Sequence, residues 1–166
     1  MSRNVDWIGP VKRPADGPQT RVERHPARAG ERFGPLSKPI AQPALGVEFR
    51  LDRLPYLLAL DGVKPLVALP LALHEDDLLL LGFGLFPELC ESRIGTALVV
   101  EGLHIARETG RRRLVAPVTN ADLLALFFLQ TQGFSLEAMR PYAGPPHSGT
   151  AGIPAMQELV LARIVD

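Results

Sequence analysis

The side chains that could do chemistry are few and widely spaced in this sequence. Cys90 is the only cysteine, and no histidine or aspartate is placed along the sequence to activate it, so we expect an inert thiol. His74 precedes three acidic residues at 75–77, but a run of adjacent charges is more typical of a solvated turn than of a metal site. His104 falls inside a predicted helix, where a structural or exposed role is expected. The sequence therefore predicts neither a cysteine nucleophile nor a bound metal.

Composition and charge narrow the class of protein further. The 166 residues are 46% hydrophobic and 22% charged, which is typical of a globular domain. Lys+Arg and Asp+Glu each number 18, so the chain lacks the basic excess of nucleic-acid-binding proteins. No apolar run is long enough to span a bilayer, and the first residues lack the pattern of a secretory signal. We therefore expect a single cytoplasmic domain that binds neither nucleic acid nor membranes, in keeping with its one cysteine.

A change in composition divides the chain into two parts. Residues 1–44 contain 7 of the 16 prolines and carry eight basic against four acidic side chains. Because proline removes a backbone donor and interrupts helices and central strands, we expect a proline-rich N-terminal arm there, followed by the folded domain at residues 45–166. Two forms of the arm remain open: a solvated segment, or a segment that packs over the domain or a partner subunit through Trp7, Ile8 and Phe33.

Beyond that boundary the hydrophobic pattern alternates between the periods of strands and helices. Two prolines, Pro65 and Pro70, indicate that one of the strands is an edge or bulged strand. The second helix is expected to be capped by Asp122 and to end at Gly133. Strands are predicted at residues 46–51, 56–60, 63–74, 78–86, 111–118, 134–142 and 155–165, with helices at 96–109 and 122–133. This order predicts an α/β domain with a mixed sheet.

Two segments of the sequence carry a recognisable pattern. The first joins LFPE at residues 85–88 to IGTAL at residues 94–98, and the second runs from GRRRL through TN and ALFF to GF over residues 110–134. Both resemble the GNAT superfamily of N-acetyltransferases, and GIP at residues 152–154 is similar to one bacterial subgroup. The resemblance covers residues 54–165 and implies the fold of a divergent bacterial member. That fold has a mixed, mostly antiparallel sheet whose parallel strands four and five splay apart, flanked by helices.

The resemblance also implies where an acyl-CoA cosubstrate would bind. In the family the pantetheine arm pairs with the edge of strand four, which corresponds here to Leu85 and Phe86, and the N–H near Phe86 could stabilise the oxyanion. The pyrophosphate lies where the next helix begins, because unpaired donors and the helix dipole favour anions there. Asn120 would reach the pantetheine, and Phe128 would pack beside the cofactor. The pyrophosphate would rest on the backbone of Arg93, Ile94, Gly95, Thr96 and Ala97.

The sequence departs from the family pattern at positions that matter for chemistry. Arg93 stands where the family's loop has its first glycine, and its guanidinium could bind phosphate. Leu129 stands where the family has the tyrosine that protonates the leaving thiolate, and residues 78–86 contain no carboxylate that could act as a base. The best substitute acid/base pair is Tyr142 with His147, near the strand and loop that border the acceptor cleft of this fold.

Two functions are compatible with these residues. The first is an acyl-CoA-dependent N-acyltransferase that transfers an acetyl or another acyl group directly to the amine of a small molecule or peptide, without a metal. The second is a GNAT-like domain that has lost catalysis and acts as a binding or assembly module. The changes at Arg93 and Leu129 favour the second, whereas Gly95 and Asn120 favour the first. Dimers are frequent in the family, so a homodimer is a further expectation, and no residue specifies the amine.

Overall fold

The chain forms strands and helices in the order expected for a mixed sheet. The structure is a computed structural model that describes residues 20–26, 40–143 and 156–166. The elements are β1 (Thr20–His25), β2 (Ala41–Ala44), β3 (Val47–Arg50), β4 (Tyr56–Asp61), β5 (Lys64–His74), β6 (Asp77–Leu80), α1 (Ser92–Glu108), β7 (Arg113–Thr119), α2 (Leu123–Thr131), β8 (Ser135–Pro141) and β9 (Gln157–Ile164). Seven strands form one sheet in the order β1-β4-β5-β6-β7-β9-β8, while β2 and β3 form a separate hairpin. No helix in these three ranges is long and apolar enough to cross a membrane.

One pair of strands in the large sheet is parallel. β6 and β7 run in the same direction, from Asp77 opposite Arg113 to Leu79 opposite Val115, and the other neighbouring pairs are antiparallel. Because parallel strands need a long crossover, α1 connects them. The prediction of a mixed, mostly antiparallel sheet with one parallel pair, flanked by helices, is confirmed.

The hydrophobic core lies around this parallel pair. β6 and the interior of β7 are apolar runs because their side chains are buried on both faces of the sheet. α1 packs closely at Gly102, where a Cβ would lie 3.3 Å from a methyl carbon of Leu80 and 3.7 Å from one of Leu114. Each fully buried leucine stabilises such a core by about 1.5–3 kcal/mol relative to an exposed one. The core therefore fixes the two strands relative to the helix that follows β6.

β5 crosses the middle of the sheet although it contains two prolines. It pairs with β4 as far as Pro70, which lies opposite Tyr56, and then pairs with β6 from Leu71, which lies opposite Leu80. Pro70 has no N–H to donate, but it lies where β5 changes from pairing with β4 to pairing with β6. The missing donor therefore falls at the end of both sets of hydrogen bonds and interrupts neither. The prediction that this strand lies at an edge is therefore wrong. The predicted bulge is confirmed, because the pairing of β5 with β4 shifts register between residues 59 and 60 of β4.

Residues 20–25 form a strand of the sheet, although the sequence assigned them to the proline-rich arm. β1 pairs with β4 along its whole length. Arg24 binds Glu101 and Glu108 of α1, with 2.7 Å between Nη1 and Glu108 Oε2, and the ring of His25 stacks on Tyr56 at 4.9 Å. The sheet therefore begins before the predicted boundary at residue 45. The proposed anchors of the arm, Trp7, Ile8 and Phe33, lie outside the described residues.

Candidate active site

A cleft forms where the parallel strands separate. Their last paired positions are Leu79 and Val115, and β7 continues to Thr119 while the chain after β6 turns at Gly82. The two strands therefore diverge, as the resemblance implied. Residues from the hairpin, the turn after β6 and the ends of β7, β8 and β9 line the cleft: Gln42, Pro43, Gly84, Leu85, Pro117, Val118, Thr119, Asp122, Tyr142 and Glu158.

The turn after β6 satisfies its own backbone groups. The carbonyl of Gly82 accepts the N–H groups of both Leu85 and Phe86 at 2.9 Å. Gly82 has φ +100, and a Cβ on it would lie 2.9 Å from Phe86 Cδ2, so the turn requires glycine. The strand predicted over residues 78–86 therefore ends at Leu80. The N–H groups expected to meet pantetheine, and the Phe86 N–H expected to hold the oxyanion, already have an acceptor.

α1 begins one turn earlier than predicted, at Ser92 instead of Thr96. The Gly95 N–H donates to the Glu91 carbonyl at 2.7 Å. The next two N–H groups lie inside the helix, where each bonds to the carbonyl four residues earlier. Three of the five positions predicted for pyrophosphate, Gly95, Thr96 and Ala97, therefore offer no unbonded N–H.

The other two predicted positions remain suited to an anion. The N–H groups of Arg93 and Ile94 lie in the first helical turn, which has no helical acceptor for them, and the helix dipole is positive there. Glu91 at the N-cap makes no side-chain capping bond, and Arg93 is exposed. The exposed carboxylates of Glu88 and Glu91 partly oppose an anion. An anion at this turn would therefore depend on two N–H groups and on the guanidinium of Arg93.

Gly95 is required by packing between helices. A Cβ at this position would lie 2.2 Å from the carbonyl oxygen of Leu89 and 2.4 Å from Cζ of Phe128. Phe128 stacks on Phe83 with ring centroids 5.8 Å apart, and only 7% of it is exposed. The ring predicted to pack beside the cofactor is thus held in the core, directly against the start of α1.

The side chains of Asn120 and Asp122, between β7 and α2, bond to the neighbouring strands. Asp122 Oδ2 accepts both the N–H and the hydroxyl of Thr119 at 2.9 Å. Asp122 is the N-cap residue of α2, as predicted, and its carbonyl accepts the Leu126 N–H at 2.9 Å, but its side chain makes no capping bond to the helix. Asn120 pairs with Gln157: its N–H donates to the Gln157 carbonyl, and its Oδ1 accepts the Gln157 N–H, both at 3.1 Å. Asn120 therefore anchors β9, and its role toward pantetheine remains a prediction.

The structure places one predicted catalytic residue, Tyr142, in the cleft. The Tyr142 N–H donates to the Met156 carbonyl at 3.0 Å, which holds the residue just beyond β8. Burial raises the pKa of the Tyr142 phenol, and the negative charges of Asp122 and Glu158 raise it further. The phenol is therefore protonated at neutral pH and can donate a proton. The other predicted residue, His147, lies outside the described residues.

Sequence reasoning assigned no role to two polar residues of the cleft, Gln42 and Glu158. Glu158 is only 5% exposed, and burial raises the pKa of its carboxyl, while the Leu45 N–H and the charge of Arg140 act in the opposite direction. A single acidic residue near the start of an otherwise apolar strand, here β9, is a sequence signal from which Glu158 could have been predicted as a site residue. Gln42 is on the β2–β3 hairpin, and no local pattern places that hairpin at the cleft.

Two further positions agree with their sequence interpretation. Leu129, at the family's tyrosine position, is 0% exposed and belongs to the core, so no proton donor stands there. Burial raises the pKa of the Cys90 thiol to about 11, and the charge of Asp122 contributes. The thiolate that a nucleophile needs is thus disfavoured. The described residues contain no group of three metal-ligating side chains.

Solved structures that are similar to this one include acetyltransferases. An acetyltransferase of the GNAT family from Streptococcus pneumoniae has a TM-score of 0.50 and 17% identity, over 68% of this chain and 66% of its own. The chain has the GNAT fold. The ribosomal-protein-S18-alanine N-acetyltransferase from Escherichia coli has a TM-score of 0.51 and 15% identity, over 67% of this chain and 68% of its own. A candidate acetyltransferase from Salmonella typhimurium, solved with its cofactor acetyl-CoA, has a TM-score of 0.51 and 13% identity, over 68% of this chain and 65% of its own.

Sequence comparison adds nothing to this likeness. No protein-family model matches the chain, and no curated protein matches it. The GNAT fold is therefore recognised from the arrangement of β6, α1, β7 and α2 and from the divergence of its parallel strands.

Proposed function

We propose that the chain is an acyl-CoA-dependent N-acyltransferase, which transfers an acetyl or another acyl group directly to the amine of a small molecule or peptide. The observation that carries this proposal is the cleft between the diverging strands β6 and β7, with the N-terminus of α1 following the turn after β6. The Salmonella typhimurium neighbour was solved with acetyl-CoA, which supports an acyl-CoA as the donor. Residues 45–166 would contain the acyl-CoA site.

The two ends of an acyl-CoA would meet different protein groups. Its pyrophosphate would rest on the first turn of α1, through the N–H groups of Arg93 and Ile94 and the Arg93 guanidinium. Its pantetheine would have to displace the carbonyl of Gly82 from the N–H groups of Leu85 and Phe86. Each of the two hydrogen bonds that would be replaced contributes about 1 kcal/mol of net free energy. Binding of the pantetheine is thus expected to open the turn.

Tyr142 is the general acid of the proposed reaction. When the amine attacks the thioester carbonyl, a C–N bond forms; when the C–S bond then breaks, the thiolate needs a proton. The raised pKa of Tyr142 keeps its phenol protonated at the pH of the reaction. In this scheme Asn120 and Phe128 remain cofactor contacts and His147 a second catalytic group, as the sequence predicted.

Calorimetric titration with acetyl-CoA, free CoA and pantetheine is the direct test. Micromolar binding of the two CoA compounds, with much weaker binding of pantetheine, would support a site that depends on the pyrophosphate. No heat from acetyl-CoA at millimolar concentration would contradict the proposed function. Sedimentation of the same samples would test the expected homodimer.

The alternative is a GNAT-like domain without catalysis that binds or assembles with another molecule. Two observations favour it: Leu129 is buried where the family has its tyrosine, and Gly82 closes the turn after β6 on itself. Binding of acetyl-CoA without acetyl transfer to any amine would favour this alternative. Acetylated product, detected by mass spectrometry, would exclude it.

A further inference from the structure

Glu158 occupies an unusual position for a carboxylate. It lies near the start of β9 opposite Thr119, the last residue of β7, so it stands where the cleft opens. The residue is 5% exposed, and the next four residues of the strand are buried and apolar. An ionised carboxylate is costly to bury unless its partners compensate for the lost water.

The hydrogen-bond and charge partners of Glu158 only partly replace the water that its carboxylate loses on burial. Both carboxylate oxygens lie 3.3 Å from the Leu45 N–H, which is one neutral donor. Arg140 Nε lies 3.5 Å from Oε1, a long distance for a charge-assisted bond, and the Arg140 side chain is 44% exposed. Burial accordingly raises the pKa of the carboxyl. A glutamine could donate and accept in the same place at less cost, so the Leu45 contact alone does not account for a carboxylate.

Gln42 brings a second acceptor to the same cleft. Its side-chain oxygen Oε1 is buried and has no donor among the described residues. A buried acceptor without a donor costs about 1–3 kcal/mol, which a ligand that supplies an N–H would recover. A primary ammonium has three donors and no acceptor, so it complements an amide oxygen beside a carboxylate.

We propose that Glu158 is the general base of the acyl transfer and that Gln42 Oε1 holds the ammonium of the acceptor beside it. The inference rests on the proposed N-acyltransferase function. Glu158 takes one proton from the ammonium and later releases it to solvent, and the nitrogen lone pair forms the C–N bond. As the C–S bond breaks, Tyr142 protonates the thiolate and then recovers a proton from the acylated nitrogen through solvent. The balance is one amide, one thiol and one released proton.

Initial rates of acetyl transfer to spermidine, L-alanine amide and phenethylamine test the base. In Glu158→Gln we expect kcat to fall by about 10²–10⁴-fold, the range for loss of a general base. The dissociation constant for acetyl-CoA should not change, because the α1 end of the cleft is untouched. As a control, Glu48→Gln removes an exposed carboxylate from the β2–β3 hairpin, which also carries Gln42, and should keep the wild-type kcat.

The pH profile separates a base from a structural carboxylate. The wild-type rate should rise with pH through the raised pKa of Glu158, because only the carboxylate accepts a proton. Glu158→Gln should lose this rise. The other charged or titratable groups facing Glu158 are Arg140 and Tyr142, and the raised pKa of Tyr142 places its titration at higher pH. Asp122 lines the same cleft and is present in both proteins, so it does not account for a difference between them.

Gln42→Leu provides the second variant. We expect KM for the amine to rise about tenfold or more, as for loss of a hydrogen bond to a charged group, while KM for acetyl-CoA is unchanged. A wild-type kcat and pH profile in Glu158→Gln would overturn the assignment, as would acetyl-CoA binding with no transfer to any of the three amines. Absence of acetyl-CoA binding would instead contradict the N-acyltransferase itself.

Discussion

The two ends of the cleft differ in how their polar groups are satisfied. At the end near α1, the carbonyl of Gly82 takes both N–H groups that pantetheine would need. At the end near β9, Gln42 Oε1 has no donor among the described residues, and Glu158 is buried with weak compensation. Folding stability favours buried polar groups that have a hydrogen-bond partner, because each buried donor or acceptor without one costs about 1–3 kcal/mol. The polar groups at the α1 end are therefore satisfied within the turn, whereas the β9 end has one buried acceptor without a donor among the described residues.

Among substitutions at residues other than Glu158, the largest effect is expected at the β9 end, from Tyr142→Phe. Because the raised pKa keeps this phenol protonated, its loss should lower kcat by about 10²-fold or more, within the range for a general acid. On the alkaline side, the wild-type rate should fall where Tyr142 ionises, and the variant should lack that fall. Steady-state rates from pH 6 to 11 measure both. An unchanged kcat would show that another residue is the general acid.

At the α1 end, Gly95→Ala should destabilise the fold by about 1–3 kcal/mol, the usual range for overpacking. The new Cβ would meet a backbone carbonyl at 2.2 Å, which cannot move aside as a side chain can. Gly95→Asp would therefore report on packing as well as on phosphate binding, and it is a poor test of the latter.

Gly102→Ala is the matched control in the same helix. Its Cβ would approach only a leucine methyl group at 3.3 Å, and alanine favours a helix over glycine by about 1 kcal/mol. Urea unfolding of both variants gives the comparison. Equal stabilities would contradict the close contact at Gly95.

Arg93→Gln tests the contribution of charge to the α1 end. If its guanidinium binds the pyrophosphate, affinity for CoA should fall about tenfold, as for loss of one hydrogen bond to a charged group. Arg107→Gln, near the other end of the helix, should leave affinity unchanged. Calorimetry at low and high salt measures both, and a similar affinity for the two variants would place the phosphates elsewhere.

The smallest effect concerns Cys90, which lies just before α1. With a pKa of about 11, its thiolate fraction at pH 8 is about 10⁻³. Alkylation by iodoacetamide should therefore be slow at pH 8 and about tenfold faster for each pH unit up to pH 10. Cys90→Ser should keep the wild-type kcat. Rapid alkylation at neutral pH would show a less buried loop.

Much of the fold was predictable because the decisive signals are local. Alternating apolar runs located most strands. The parallel pair was implied by the resemblance to the GNAT superfamily, and the helix between its two strands supplies the crossover that such a pair needs. Pro70 misled the prediction, because a strand that changes partners tolerates proline and no local pattern shows that change. β1 was missed because its neighbours in sequence are rich in proline, while its pairing with β4 depends on distant residues.

Part of the candidate site was predictable. The residues after β6 and Tyr142 were singled out from patterns in the sequence, and Leu85 and Tyr142 line the cleft. The predicted contacts at the start of α1 stay predictions. Glu158 and Gln42 were not assigned, because they are 116 positions apart and meet only in the folded chain. Asp122 stands at the N-cap of α2, as expected, but its side chain binds Thr119, since the end of β7 offers it two donors.

The sequence by itself determined the order of strands and helices from residue 46 onward and the glycines that its turns require. These follow from local hydrophobic period, from turn chemistry and from chain connectivity. Only the tertiary structure decided which polar groups at the cleft have partners and which do not. The reason is physical: the hydrogen-bond partner of a buried group comes from whichever distant segment packs against it, and local sequence does not specify that segment.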